Sequence, residues 1–271
     1  MKKKFLFFSL LMSILVLVGC SNNSNQQDVL KSDRQSNTIT WGVRGDVKLF
    51  GLIDVKDGEQ KGFEADMAKH LTKHILGKKG KAKLVTVTSQ SRTSLLNNGN
   101  VDAIIATLNI TPDRQKVVDF TKPYFDSGQT LLVPKNSKIR NAKDLNGKTV
   151  ICVVGGDSVK NVKKQAPKAK VLQLQDYAQA LNALKSGQGD AMTADTGMIY
   201  GMAVQNKGYV ARGGSFTHEV YGVAVKKGQT PLRDAIQKAM DEMVKDGEYN
   251  QLIKKWFQSV PGFNYKELYR Y

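Results

Sequence analysis

The sequence predicts an α/β fold built as two lobes. Two observations carry this. Strand-like and helix-like hydrophobic periods alternate from residue 38 to residue 257, the pattern of parallel sheets covered by helices. One composite element also occurs twice. Leu95-Leu96-Asn97-Asn98-Gly99-Asn100-Val101-Asp102-Ala103 is answered about ninety residues later by Ala183-Leu184-Lys185-Ser186-Gly187-Gln188-Gly189-Asp190-Ala191. Each copy is a helix end, a glycine cap and an Asp-Ala pair opening a buried strand.

The chain starts with Met1-Lys2-Lys3-Lys4, and an apolar run over residues 5–18 is broken only by Ser9 and Ser13. A charged start, a short apolar core and a small residue before a cut site describe a secretory signal over residues 1–19. The run is shorter than the roughly 20 apolar residues that span a bilayer. Leu17-Val18-Gly19-Cys20 resembles the lipobox of bacterial lipoproteins. That resemblance implies cleavage before Cys20, acylation with fatty acids such as palmitate, and anchoring to the cell membrane; two acyl chains suffice for a stable anchor. Residues 20–37 are polar and read as a flexible tether.

Structure is expected to begin at the β-rich residues 38–43. Phe63, Met67, Ala68, Leu71 and Ile75 share one helical face, and residues 83–88 alternate like a strand. Ser89 is placed to cap a short helix carrying Leu95 and Leu96, and residues 101–106 read as a buried strand. Thr111-Pro112-Asp113 starts a helix with a capping hydroxyl, a first-turn proline and an acid. Residues 130–133 form a strand, residues 148–192 repeat the alternation, and residues 219–225 form a strand. Helices over 231–246 and 248–257 follow.

The formal charge is +17, falling to +14 if the signal takes Lys2, Lys3 and Lys4 with it. So basic a chain raises nucleic acid as a partner. The lysines are scattered, however, and no aromatic-interleaved basic stripe is present. A secreted location argues against nucleic acid and favours attraction to an anionic envelope. The roughly 235 residues left after the signal and the tether suit one large domain or two small ones. Cys152 lies in the apolar run Thr149-Val150-Ile151-Cys152-Val153-Val154 and reads as a buried small hydrophobe.

Catalytic constellations are sparse. His70 and His74 stand one helical turn apart, but His-Leu-Thr-Lys-His lacks the glutamate of a zinc-protease motif and carries Lys73. A solvated helix face is the better reading, and neither metal nor cofactor is expected. There is no Gly-x-Ser-x-Gly elbow. Gly155-Gly156-Asp157-Ser158-Val159-Lys160 lacks the ending of a phosphate loop, although a strand-to-helix loop of this kind still suits an anion. Thr107-Leu108-Asn109-Ile110-Thr111-Pro112-Asp113-Arg114 brings a strand end, a helix N-terminus and an arginine within eight residues. Unpaired N–H groups and a guanidinium fork together make a carboxylate socket; a surface role for Arg114 fits the spacing as well.

Residues 38–260 resemble the periplasmic-type binding proteins for polar amino acids in ABC uptake systems, solute-binding protein family 3. The matching stretches are Gly62-Phe63-Glu64-Ala65-Asp66-Met67-Ala68, Val101-Asp102-Ala103-Ile104-Ile105-Ala106, Ile110-Thr111-Pro112-Asp113-Arg114, Val118-Asp119-Phe120-Thr121-Lys122-Pro123-Tyr124-Phe125 and Tyr177-Ala178-Gln179-Ala180-Leu181. The resemblance implies two α/β lobes joined by two crossing hinge strands and closing on the ligand like a jaw. Lobe 1 would comprise residues 38–132 and 222–271, lobe 2 residues 133–221, with crossings near Val133 and Gly222. It implies further that Arg114 clamps the α-carboxylate of a free amino acid and Asp195 takes the α-ammonium. Arg44 and Arg92 fall near the ligand side chain, Phe50 forms an apolar wall, and Ser89, Thr107, Asn109, Gly156, Ser158 and Tyr177 occupy further pocket positions. The ligand expected is glutamine or glutamate, and the partner a membrane permease. The chain would act as a monomer and not as an enzyme.

Departures soften the ligand's identity. Asn109 stands where the family often has threonine, Gly156-Asp157 replaces a Ser-Thr or Thr-Thr pair, and Thr196-Gly197 also differs. Two rivals remain at this point. A dehydratase-like enzyme on the same fold would need a poised acid or base, with Asp46, Asp157 and His218 as candidates. A sensor or adhesion lipoprotein would share the fold without delivering a ligand.

Overall fold

The computed structural model describes residues 28–268. The signal at residues 1–19 and Cys20 lie outside the described residues. The expected tether is corrected at its C-terminal end, because Val29–Ser36 forms a helix, α1. Asp28 caps it by accepting from the Lys31 N–H, and Asn37 ends it in the left-handed region. Leu30 and Asp33 are buried, and the Val29 N–H donates to Gln229 Oε1 at 3.0 Å. A capping acid and one apolar anchor seat a segment whose composition alone reads as loop.

Strand β1 (Thr38–Arg44) leads into a small antiparallel sheet of β2 (Asp46–Val47), β3 (Gly51–Ile53) and β4 (Gln60–Lys61). Helix α2 (Phe63–Leu76) buries Phe63, Met67, Ala68 and Leu71, the expected face. Then come β5 (Lys81–Val87), α3 (Arg92–Asn97), β6 (Ala103–Ile104), α4 (Pro112–Gln115) and β7 (Val118–Phe120). The cap of α3 falls at Ser91 rather than Ser89, where Ser91 and Thr88 exchange side-chain and backbone hydrogen bonds. Strands β8 (Phe125–Ser127) and β9 (Gln129–Pro134) follow.

The second half repeats the unit as β10 (Thr149–Val153), α5 (Ser158–Gln165), β11 (Lys170–Leu174), α6 (Tyr177–Lys185) and β12 (Ala191–Asp195). Helix α7 (Thr196–Gln205) and β13 (Tyr209–Arg212) complete it. The chain returns through β14 (Glu219–Tyr221) and β15 (Ala224–Lys226) to α8 (Thr230–Lys245) and α9 (Glu248–Phe257). The single strand expected over residues 219–225 is therefore two, broken at Gly222. A side chain there would collide with Ile110 and Phe120.

Two five-stranded sheets result, ordered β5-β1-β6-β15-β7 and β11-β10-β12-β9-β13. The first three strands of each are parallel and in the same order. The repeated sequence element explains the match. Asp102 and Thr40 exchange two hydrogen bonds, Thr40 N–H to Oδ2 at 2.7 Å and Asp102 N–H to the Thr40 carbonyl at 2.8 Å. Asp190 and Thr149 repeat the exchange, both bonds at 2.8 Å.

The lobes are joined by the antiparallel pair β8 and β14. The first crossing thus comes earlier than the expected passage near Val133, which lies within the second sheet as part of β9. Phe125 and Tyr221 stack across this pair, with centroids 5.5 Å apart and planes at 16°. Phe50, Phe63 and Phe257 crowd around Phe125. Among the described residues no helix is long and apolar enough to cross a membrane.

Candidate functional site

Parallel sheets present ligands at the carboxyl ends of their strands, where connections diverge. Here that edge of each sheet faces the other across a seam. In the first lobe, β1 ends at Arg44, the turn after β5 carries Ser89 and Arg92, and Thr107 and Asn109 follow β6. In the second, Gly155, Gly156, Asp157 and Ser158 follow β10, Tyr177 follows β11, and Asp195 closes β12. The expected residues are therefore brought together, with the roles of several altered.

The seam is shut. Gly155 has φ of +78°, and a Cβ there would stand 2.7 Å from the Ser89 carbonyl group and 2.8 Å from the Gln90 nitrogen. A Cβ on Gly197 would lie 2.8 Å from the Phe50 ring. Phe50, the expected apolar wall, is fully buried and packs edge-on to Phe125 and Tyr221. Glycine is required at both points because backbone and ring from one lobe rest directly on the other.

Arg114 reaches across the seam. Its Nη1 donates to Asp157 Oδ2 at 2.8 Å and to the Asn109 carbonyl at 3.0 Å. Thr111 caps α4 as expected, accepting from the Arg114 N–H at 3.3 Å. The socket is thus built, and a carboxylate of the protein itself sits in it. Asn109 also donates to Asp157 at 3.3 Å and accepts from Ser127 Oγ at 2.7 Å.

Asp195 accepts from the Tyr221 hydroxyl at 2.6 Å and from Gln129 Nε2 at 3.4 Å. Burial pushes its carboxyl up to about 7; the Tyr221 hydrogen bond opposes this, and the Glu219 and Asp157 charges add to it. Such a group is only about half ionised at neutral pH, and a cation beside it favours the charged form. Gln129 also donates to Ser158 Oγ at 3.1 Å. Gly156, the other expected contact in this loop, has its N–H on the Val153 carbonyl at 3.4 Å.

The other two arginines are already engaged. Arg44 is fully buried, forks onto Asp46 at 2.9 and 2.7 Å, donates to Ser89 at 2.8 Å and lies 5.3 Å over the Tyr177 ring. Arg92 donates to the carbonyls of Ala106 at 2.5 Å and Thr107 at 3.1 Å. Burial and the neighbouring Arg114 and Arg44 charges pull it down to about 10. Thr107 holds φ of +49°, a costly conformation for a β-branched residue. Its N–H donates to Glu64 Oε1 at 2.7 Å, and the Tyr124 hydroxyl donates to the same oxygen at 2.5 Å.

Sequence reasoning missed Glu64, Gln129, Glu219 and Tyr221 as seam residues. Glu64 left a signal, an acid between Phe63 and Ala65 at the buried start of α2. Gln129 and Tyr221 left none, since a polar residue at the start of a buried strand (Gln129) or on a crossing strand (Tyr221) looks like any other. The histidine pair is a correction to the solvated face. His70 meets Glu248 at 3.0 Å, and His74 meets Glu242 and Glu248, each at 3.1 Å, tying α2 to α8 and α9.

The model of the family described as "Bacterial extracellular solute-binding proteins, family 3" matches residues 39–259. The ABC transporter glutamine-binding protein GlnH of Bacillus subtilis (strain 168) is 44% identical, over 93% of this chain and 95% of its own. The glutamine-binding protein of Geobacillus stearothermophilus is 44% identical over 80% of this chain and 89% of its own. Among solved structures, an ancestral arginine-binding protein bound to glutamine superposes with a TM-score of 0.77 at 35% identity, covering 82% of this chain and 98% of that one.

Proposed function

Because this chain belongs to the bacterial extracellular solute-binding proteins, family 3, we propose that it captures L-glutamine between its lobes and delivers it to an ABC permease. The observation that carries this is a guanidinium at the seam on one lobe, Arg114, and a buried carboxyl at the seam on the other, Asp195. A zwitterion brings one charge for each, and a buried charge needs a partner. Both ends are satisfied only when the lobes are together, which couples capture to closure. Lobe 1 then comprises the strands of the first sheet with α8 and α9, and lobe 2 those of the second.

Glutamine is favoured over glutamate by the state of the arginines. Arg44 is neutralised by Asp46, and Arg92 is fixed on backbone carbonyls. A side-chain carboxylate would find the Arg44 charge already offset by Asp46 and the Arg92 Nη1 already held by carbonyls, whereas an amide needs only hydrogen bonds. The close relatives named as glutamine-binding proteins support the same reading. Cys20, in its lipobox-like setting, would hold the protein at the outer face of the membrane.

The test is a panel of the twenty amino acids in thermal-shift and calorimetric titrations. L-glutamine is expected to stabilise the wild type, since a ligand that binds only the folded state must raise its melting temperature. Arg114→Ala is expected to weaken it at least a hundredfold. Retained binding in Arg114→Ala overturns the clamp. A response to arginine in place of glutamine would mean that Asp157, Asp195 and Glu219 select a cationic side chain.

A further inference from the structure

We infer that Asp157 is an internal competitor for the ligand's α-carboxylate and thereby sets the affinity of the site, an inference that rests on the glutamine reading above. Three observations converge on it. Asp157 is the N-cap residue of α5, a position where an aspartate ordinarily accepts from its own helix. It makes no such bond. Its carboxylate instead crosses the seam to Arg114 Nη1 at 2.8 Å and accepts from Asn109 Nδ2 at 3.3 Å. The pair is largely withdrawn from water, with side-chain exposures of 16% for Arg114 and 22% for Asp157.

A carboxylate held this way presents to Arg114 the same group that the ligand would. Asp157 holds Nη1 while Nη2 has only the Gly155 carbonyl at 3.4 Å, so the ligand cannot pair with both Nη atoms while Asp157 stays, and Glu219, hydrogen-bonded to Asn109 and Asn161, already brings another negative charge to the same place. The ligand must therefore lift Asp157 off before its own carboxylate can seat. Only the fraction of molecules with Arg114 released is competent, and the apparent dissociation constant rises by the inverse of that fraction. The same contact bridges the lobes, since Asp157 follows β10 of one sheet and Arg114 lies on α4 beside the other. Asp157 thus acts as a latch that draws the ligand-free jaw together and also as a threshold that a zwitterion must exceed. The factor is the same for every amino acid that uses Arg114, so the latch sets affinity and leaves the ratio between amino acids unchanged.

The experiment compares the wild type with Asp157→Asn and Asp157→Thr. It uses calorimetric titration of L-glutamine and small-angle scattering of the ligand-free proteins. Both variants are expected to bind L-glutamine at least tenfold more tightly than the wild type. Their ligand-free radius of gyration is expected to exceed that of the wild type, and the glutamine-bound radii of all three to agree. Using two variants guards against one that misfolds. Unchanged or weaker binding in both variants, with the wild type still binding glutamine, overturns the competitor alone. Absence of binding in all three overturns the proposed function and the competitor with it.

Discussion

Asp195 makes the stability of the closed lobes sensitive to pH. Burial raises its carboxyl from 3.8 to about 7. At about 1.4 kcal/mol for each tenfold change in proton affinity, that rise is worth about 4 kcal/mol. The direction follows from linkage. The folded group holds its proton more tightly than the unfolded one, so its contribution is fully present below about pH 4. It is lost as pH rises from there to about 7 and stays lost above. An ammonium beside Asp195 supplies the missing counter-charge and restores the ionised form, so ligand binding near neutral pH releases a proton. The assay is denaturant unfolding from pH 4 to pH 8.5 for the wild type and Asp195→Asn, each with and without L-glutamine. Opening of the jaw relieves part of the cost, so the expected gain of the ligand-free variant over the wild type between pH 4 and 8 is about 2–4 kcal/mol. The variant is also expected to lose its stabilisation by glutamine. Parallel pH profiles for the two proteins would show that Asp195 carries no such penalty, and would refute its role as the ammonium partner.

Three further substitutions probe other parts of the argument. Gly155→Ala adds a Cβ 2.7 Å from the Ser89 carbonyl group at a φ of +78°; glutamine binding is expected to weaken at least tenfold, with about 1–2 kcal/mol lost from the fold, as read by calorimetry and denaturant unfolding. Asp33→Asn removes a buried carboxyl that burial and the charges of Asp102 and Asp28 push up to about 8; the variant is expected to melt higher than the wild type above that pH and to match it near pH 4, because only the ionised acid is penalised. Cys152 is fully buried, and burial pushes its thiol up to about 12, so peptide mapping after native alkylation at pH 8 is expected to find it unmodified, and after denaturation fully labelled.

Most of the fold was legible because it rests on local signals. The apolar face of α2, the Thr111-Pro112 start of α4 and the doubled Gly–Asp-Ala element each fix their structure within a few residues. The misses share one cause, dependence on partners far along the chain. Helix α1 is held by Leu30 and by Gln229, two hundred residues away. The family resemblance put the crossing near Val133, and residues 130–133 by themselves look like any buried strand. Only pairing with β12 and β13 assigns them to the second sheet. In the site, Arg114 and Asp195 could be named from motifs, but the partners that decide their electrostatics come from elsewhere. Tyr221 lies on the returning strand, and Asp157 lies in a loop whose departure from the family pattern was visible while its contact was not.

The repeat does more than duplicate a lobe. In each copy the Asp102 or Asp190 carboxylate pins the start of the third parallel strand to the first, and so fixes how far that strand's end projects. One projecting end carries Thr107 and Asn109 and leads into α4, where a helix start and Arg114 make the seam positive. The other ends in Asp195, with Asp157 and Glu219 around it, and makes the seam negative. Two copies of one unit, placed face to face by β8 and β14, therefore present opposite charges at equivalent positions. A zwitterion fits such a seam in a single orientation. Asp157 already places a carboxylate on the positive side, and burial holds the Asp195 carboxyl up to about 7 on the negative side. On the reading proposed above, binding exchanges the first for the ligand's carboxylate and sets its ammonium against the second.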